Sequence, residues 1–201
     1  MKNIIGRDIP PVVCGRELSP YKGRGEWRST KVLSSVEEAI RLTGIKSGDT
    51  ISFHHHLRNG DAVVNLILDK LARMGVQNLK LAPTALFPVH EPLIEHIKNG
   101  VITAIEGSIN GPIGKYITEH PLKEPVILRS HGGRARAVVD RELPIDVAFI
   151  AASAADKMGN CNGVVGPSAF GPMGFAYADA WAAEKVVVIT DTLVPYPAVP
   201  I

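Results

Sequence analysis

Strand-length apolar runs alternate with one-faced helical segments over most of this chain, and few architectures accept that order. Thr50 to Phe53 is short and apolar, as a buried strand requires. Asp61 then opens a segment whose apolar residues Val63, Val64, Ile67, Leu68 and Leu71 fall on one helical face, closed by Gly75. Leu79 to Ala82 repeats the strand pattern, Pro92 to Lys98 the helical one, and Val101 to Ile105 the strand again. Val126 to Leu128 and Val147 to Ala151 are further strands, with a helical piece over Ala135 to Arg141 between them. A helix over Gly174 to Ala183 and the β-branched run Val186 to Thr190 complete the series. Upstream, Ser34 and Ser35 precede Glu37 and Glu38 by three residues, the spacing of a capping box, and Gly44 stops that segment. Alternation at this spacing predicts a three-layer α/β domain, a mostly parallel sheet flanked by helices.

The 201 residues suit one such domain with an arm, and an apolar fraction of 45% fills its core. Residues 1–33 are rich in Gly, Pro and Arg without any period, which reads as an irregular arm suited to holding a partner chain. Residues 34–201 form the domain. It ends on Val194-Pro195-Tyr196-Pro197-Ala198-Val199-Pro200-Ile201, a proline-punctuated segment of the kind that crosses between domains, so a second domain is expected to follow. A net charge of +2 gives no footprint for nucleic acid or an anionic membrane. Cys14 and Cys161 lie far apart without CxxC spacing, which excludes a disulfide scaffold or zinc ribbon and fits a reducing compartment. With no signal-like start and no run long enough to span a membrane, the expected location is cytoplasmic.

Four clusters follow strands, at the sheet edge where open parallel sheets bind ligands. The first is Phe53-His54-His55-His56-Leu57-Arg58-Asn59-Gly60-Asp61. Consecutive strand side chains alternate sides, so at best His54 and His56 converge, and no second cluster supplies further ligands. A metal site is therefore not expected. The cluster is either a substrate-facing loop built on His54, His56, Arg58, Asn59 and Gly60, or the surface and packing histidines of a turn. The second cluster runs from Glu106 through Gly107, Ser108, Asn110 and Gly111 to Gly114. Its glycines let backbone amides approach a ligand. Glu106 is either a nucleophilic carboxylate, as acyl transfer through a glutamyl anhydride needs, or an ordinary strand-end residue.

The third cluster is Arg129-Ser130-His131-Gly132-Gly133-Arg134-Ala135-Arg136. Arginines beside a Gly-Gly turn suit a polycarboxylate or a phosphate, because guanidinium binds carboxylate in bidentate fashion. A solvated basic helix start is the alternative, one the helix dipole disfavours. The fourth, Asp156 to Gly163, is by chemistry alone a turn-rich loop.

The runs Ser52-Phe53-His54-His55-His56-Leu57-Arg58-Asn59-Gly60-Asp61 and Arg129-Ser130-His131-Gly132-Gly133-Arg134-Ala135-Arg136-Ala137 resemble the citrate lyase alpha chain family. Ala155-Asp156-Lys157-Met158-Gly159-Asn160 is similar to the Asp-x-x-Gly-Asn loop of the wider CoA-transferase superfamily. The histidine-rich string is the specific part of the resemblance, which covers the chain from about Ser34 onward.

The resemblance implies a CoA-transferase-like fold and a reaction. Citrate displaces acetate from the thioester on an acyl-carrier thiol, giving a citryl-thioester. The thiol belongs to a CoA-like prosthetic group on a small gamma subunit, or to acetyl-CoA in its place, and a beta subunit cleaves the product. The family's alpha chains are longer and carry a second α/β domain, so an oligomeric complex is expected. Related transferases pass through a glutamyl thioester, whereas this branch works in a ternary complex. His54, His56, Arg58, Asn59 and Gly60 would then form one wall and Arg129, Ser130, His131, Gly132, Gly133 and Arg134 the other, with Arg58 and Arg134 in loops facing one cleft. The rival classes are a sugar-phosphate isomerase of the same broad fold, which needs an acid/base carboxylate, and a non-catalytic assembly domain.

Overall fold

The structure, a computed structural model, describes residues 30–54 and 56–196. The expected arm lies almost wholly outside them, as do His55 and residues 197–201.

Helix α1 (Val36–Thr43) begins where Ser35 accepts a hydrogen bond from the Glu38 amide, and it ends at Gly44 with φ of 66°. The Glu38 carboxylate reaches back to the Ser34 amide and hydroxyl at 2.8 and 2.6 Å, one residue before the N-cap, so the expected three-residue spacing holds for the Ser35 bond and the return bond spans four. Next come β1 (Thr50–Phe53), α2 (Val63–Arg73), β2 (Leu79–Pro83), α3 (Leu93–Lys98) and β3 (Ile102–Gly107). Then follow α4 (Pro112–Glu119), β4 (Ile127–Leu128), α5 (His131–Val139) and β5 (Val147–Ala152). The chain closes with β6 (Ala154–Asp156), β7 (Cys161–Asn162), α6 (Gly174–Ala182), β8 (Lys185–Thr190) and β9 (Leu193–Val194).

Six strands form one parallel sheet in the order β4-β3-β2-β1-β5-β8. The two-residue period of a strand sorts its side chains into two cores. Val147 and Phe149 of β5 join Ile51, Phe53, Leu79 and Leu81, packed under Ile40, Ile67, Leu68, Leu71, Leu93 and Ile113 of α1 to α4. Ala148 and Ile150 face the other way, against Ala137 and Val138 of α5 and Ala176 and Ala182 of α6. The predicted three layers are therefore present. A small second sheet, β7-β6-β9, includes one antiparallel pair, and its β7 falls within Asp156 to Gly163, the segment expected to be a turn-rich loop.

The strand order sets where a ligand can enter. From β1 the chain winds outward through β2, β3 and β4, then returns along α5 to place β5 on the opposite flank of β1. The β1–β5 boundary is thus the topological switch point, the place where open parallel sheets bind ligands beyond the carboxyl ends of their strands. The β1–β5 register there runs only from Ile51↔Val147 to Ser52↔Ala148.

Candidate active site at the sheet switch point

His54 directly follows β1 and is buried at that boundary. Its Nε2 accepts a 2.9 Å hydrogen bond from the backbone amide of Ala151 on β5. Its ring lies 4.3 Å from that of His56, tilted by 52°. His56 in turn stacks on Phe170, with centroids 4.6 Å apart and planes 3° from parallel. Burial holds the His56 pKa below the ordinary histidine value, outweighing a backbone bond to Met173 and the charge of Asp179, both of which favour the cation. Burial therefore favours the neutral form of the His56 ring.

Arg58, Asn59 and Gly60 form an exposed 3-10 turn just beyond. Arg58 adopts φ of 50°, a left-handed conformation uncommon outside glycine and asparagine. Asp61 anchors the turn from below: its carboxylate accepts from the Val63 amide at 2.7 Å, capping α2, and lies 3.3 Å from Nε2 of buried His90.

The second cluster follows β3. Gly107 is obligatory there, because a Cβ would lie 2.0 Å from the Pro83 carbonyl oxygen of the neighbouring strand. Ser108 and Asn110 use their backbones to bridge to Leu86, whose amide donates to the Ser108 carbonyl and whose carbonyl accepts from Asn110. Gly111 takes φ of 69° and ψ of −142° at the entrance to α4, a region that only glycine occupies freely. Glu106 is buried between two cations, Arg129 Nε at 2.5 Å and Lys80 Nζ at 2.6 Å. Burial pushes its carboxyl upward, but the bonds from Lys80 and Arg129 more than offset that and hold it below the usual carboxylate range. With both oxygens already committed to cations, this geometry favours the strand-end reading over the nucleophile.

The third cluster differs from its expected form. Helix α5 starts at His131, not Ala135, so the Gly-Gly pair is its first turn and not a loop. Ser130 is the N-cap, its hydroxyl accepting from the Gly133 amide at 3.1 Å. Arg129 serves Glu106 and, more loosely, Glu142 at 3.5 Å. Arg134 was expected in a loop facing the same cleft as Arg58. It is instead helical and buried, its guanidinium gripping Asp179 of α6 at 2.7 and 2.9 Å and donating to the Ala82 carbonyl at 2.7 Å. One helical turn carries Arg134 from the start of α5 to its inner face, where a cation persists only with a partner. His131, at the exposed start of α5, meets Phe175 at 5.2 Å and so lies beside the segment that carries Phe170 and Met173.

The described residues thus fall into two groups along one sheet edge. His54 and His56 meet at the switch point with Phe170, and His131 meets Phe175 at the start of α5. Gly107, Ser108, Asn110, Gly111 and Arg129 belong to the β3–β4 end. Since neighbouring strands are about 4.8 Å apart, three strand spacings place β4 about 14 Å from β1. Sequence reasoning missed Phe170 and Asp179. For Asp179 a signal existed: it is the lone charge in Gly-Phe-Ala-Tyr-Ala-Asp-Ala-Trp-Ala, an otherwise apolar helix. Among the described residues, no group of three or more His, Cys, Asp or Glu side chains could hold a metal ion, and no helix is long and apolar enough to cross a membrane.

Comparison with known proteins decides the family. The sequence profile described as "Citrate lyase, alpha subunit (CitF)" matches residues 29–201. The chain belongs to the citrate lyase alpha subunit family. It is 47% identical over 175 residues to the citrate lyase alpha chain of Haemophilus influenzae, covering 87% of this chain and 35% of the relative. With that of Escherichia coli it shares 46% over 171 residues, covering 85% and 34%. The chain therefore spans about a third of the length of these curated citrate lyase alpha chains. A crystal structure described as a citrate lyase alpha subunit from Streptococcus mutans in complex with citrate superposes with a TM-score of 0.83 at 48% identity. The match covers 92% of this chain and 35% of that one. The alpha subunit of a malonate decarboxylase from Acinetobacter baumannii, at 20% identity and a TM-score of 0.55 over 75% of this chain and 28% of that one, shares the fold. The citrate lyase alpha family thus supplies the CoA-transferase-like frame expected from the Asp-x-x-Gly-Asn loop.

Proposed function

We propose that this chain is the first of two α/β domains of a citrate:acyl-carrier transferase, and that the switch point is where it handles its acidic substrate. The observation that carries this reading is the family match over residues 29–201. The related Streptococcus mutans protein binds citrate, which makes a tricarboxylate the substrate to test first. The second substrate is an acetyl thioester, on CoA or on the prosthetic arm of a gamma subunit. A beta subunit consumes the product, and the assembly is a cytoplasmic oligomer.

The reaction balances without redox chemistry. A citrate carboxylate oxygen attacks the acetyl carbonyl, the C–S bond breaks, and a thiolate leaves a mixed anhydride. The thiolate then attacks the citryl carbonyl of that anhydride, and acetate departs with the C–O electron pair. Each attack gathers negative charge on a carbonyl oxygen beside carboxylates. Backbone amides, such as those of His131 and Gly132 at the first turn of α5, are suited to that oxygen, while exposed Arg58 offsets the carboxylates. His56, whose pKa burial lowers, suits hydrogen bonding in place of charge.

The test is a transfer assay on the full-length chain with acetyl-CoA and citrate. Formation of citryl-CoA and acetate in equal amounts is the expected result. Turnover of sugar phosphates without thioester exchange would replace this reading with the isomerase one.

A further inference from the structure

We propose that His54 is a positioning residue, locked as its neutral Nδ1–H tautomer by the Ala151 amide, and that it acts by holding the plane of His56. The proposal rests on the transferase reading for its kinetic part only. The lock follows from elementary donor chemistry. A backbone amide can only donate, so the Nε2 that receives it at 2.9 Å must present a lone pair, and the ring's one proton then sits on Nδ1.

The reason for the bond lies in the topology. The β1–β5 ladder stops at Ser52↔Ala148, while β5 continues pairing with β8 as far as Ala152↔Thr190. The end of the ladder at the switch point leaves the β1 side of Ala151 without a backbone partner from β1. A buried amide there needs an acceptor, and the His54 ring provides it. Protonating His54 would break that bond inside the core, so the ring stays neutral while the fold persists.

The consequence reaches His56 through contact. Its ring is held between His54 at 4.3 Å and Phe170 at 4.6 Å. Fixing the first ring fixes one side of that slot. Among the described residues the charge acting on His56 is that of Asp179 of α6, with which Arg134 of α5 pairs.

Two measurements test this. Ring-nitrogen NMR of the 15N-labelled protein should show His54 Nε2 unprotonated and Nδ1 protonated, unchanged as pH is lowered until unfolding. A protonated Nε2 in the folded protein overturns the proposal whatever the enzyme does. In the full-length enzyme, His54→Gln keeps an acceptor at the Nε2 position and should leave kcat/KM for citrate within about threefold of wild type. His54→Phe keeps the ring shape, leaves Ala151 unpaired, and should lower kcat/KM about ten- to a hundredfold by misplacing His56. Equal loss in both variants means that His54 itself touches substrate and ends the positioning role, as does wild-type activity in His54→Phe. Absence of thioester exchange in the wild type would defeat the transferase reading while leaving the tautomer result intact.

Discussion

Arg134 and Asp179 close a bidentate ion pair in the layer formed by α5 and α6, with both side chains at 1% exposure or less. The guanidinium also holds the Ala82 carbonyl at 2.7 Å, so one side chain ties α5, α6 and β2 together. Replacing Arg134 by Met should destabilise the fold by about 3–5 kcal/mol, because it strands a buried carboxylate. A double variant, Arg134→Met with Asp179→Leu, should recover most of that loss, since an apolar pair of similar volume avoids the desolvation cost. Urea unfolding of the two proteins checks it, and equal stability of single and double variants would show that Asp179 finds another partner.

Glu106 offers a test of structural against nucleophilic roles. Its folded pKa lies below its unfolded one, so the unfolded chain binds the extra proton as acid is added. The stabilisation from Lys80 and Arg129 is therefore present above the ordinary carboxylate pKa and is lost as pH falls through the lowered folded value. Glu106→Gln should be less stable than wild type at neutral pH, with the gap closing in acid. Turnover per folded full-length molecule should stay within a few-fold. Complete loss of turnover with unchanged stability would restore the nucleophile.

At Gly107 the constraint is steric. Its missing Cβ would meet the Pro83 carbonyl oxygen at 2.0 Å, and that atom belongs to the adjacent strand. Gly107→Ala must push β3 off β2 and should cost about 1–3 kcal/mol or more, as overpacking does. Thermal unfolding measures it. Gly132→Ala is the control, since a Cβ there meets nothing within 4 Å.

What could be read in advance follows from where the information sits. The Val63, Val64, Ile67, Leu68, Leu71 stripe faces one core and names both the element and its buried side, because period and burial coincide. The local sequence puts the start of α5 four residues late, at Ala135, since Gly132 and Gly133 argue against a helix locally and outweigh the Ser130 cap three residues before Gly133. Arg134 looked like a ligand for the same reason that it is buried: an arginine seeks a carboxylate, and the sequence does not say whether that carboxylate is a substrate or Asp179, 45 residues on. The strands β6, β7 and β9 escaped notice because two- and three-residue strands carry no period. The edge position of His54 was legible from β1, but its partner Ala151 depends on strand order, which pairwise spacing does not encode.

Arg58 poses the sharpest choice between stability and function. Its φ of 50° costs a non-glycine residue about 1–2 kcal/mol, and no packing recovers that at an exposed turn. The proposed contact of Arg58 with the acidic substrate would account for a charged side chain at such a position. Arg58→Gly should therefore raise stability by up to about 1 kcal/mol, by relieving the backbone, while it removes the cation. In the full-length enzyme the same change should raise KM for citrate about ten- to a hundredfold, the loss of one charge-assisted pair of about 1.5–3 kcal/mol. Arg58→Lys should recover part of the affinity, because an ammonium matches the charge and not the bidentate fork. Arg58→Ala should bind as poorly as Arg58→Gly and be the less stable of the two, keeping the strain without the contact. Unfolding and citrate kinetics on the three variants give the answer together. A stable Arg58→Gly enzyme with wild-type KM would remove the Arg58–Gly60 turn from the substrate site and leave the strain without an explanation.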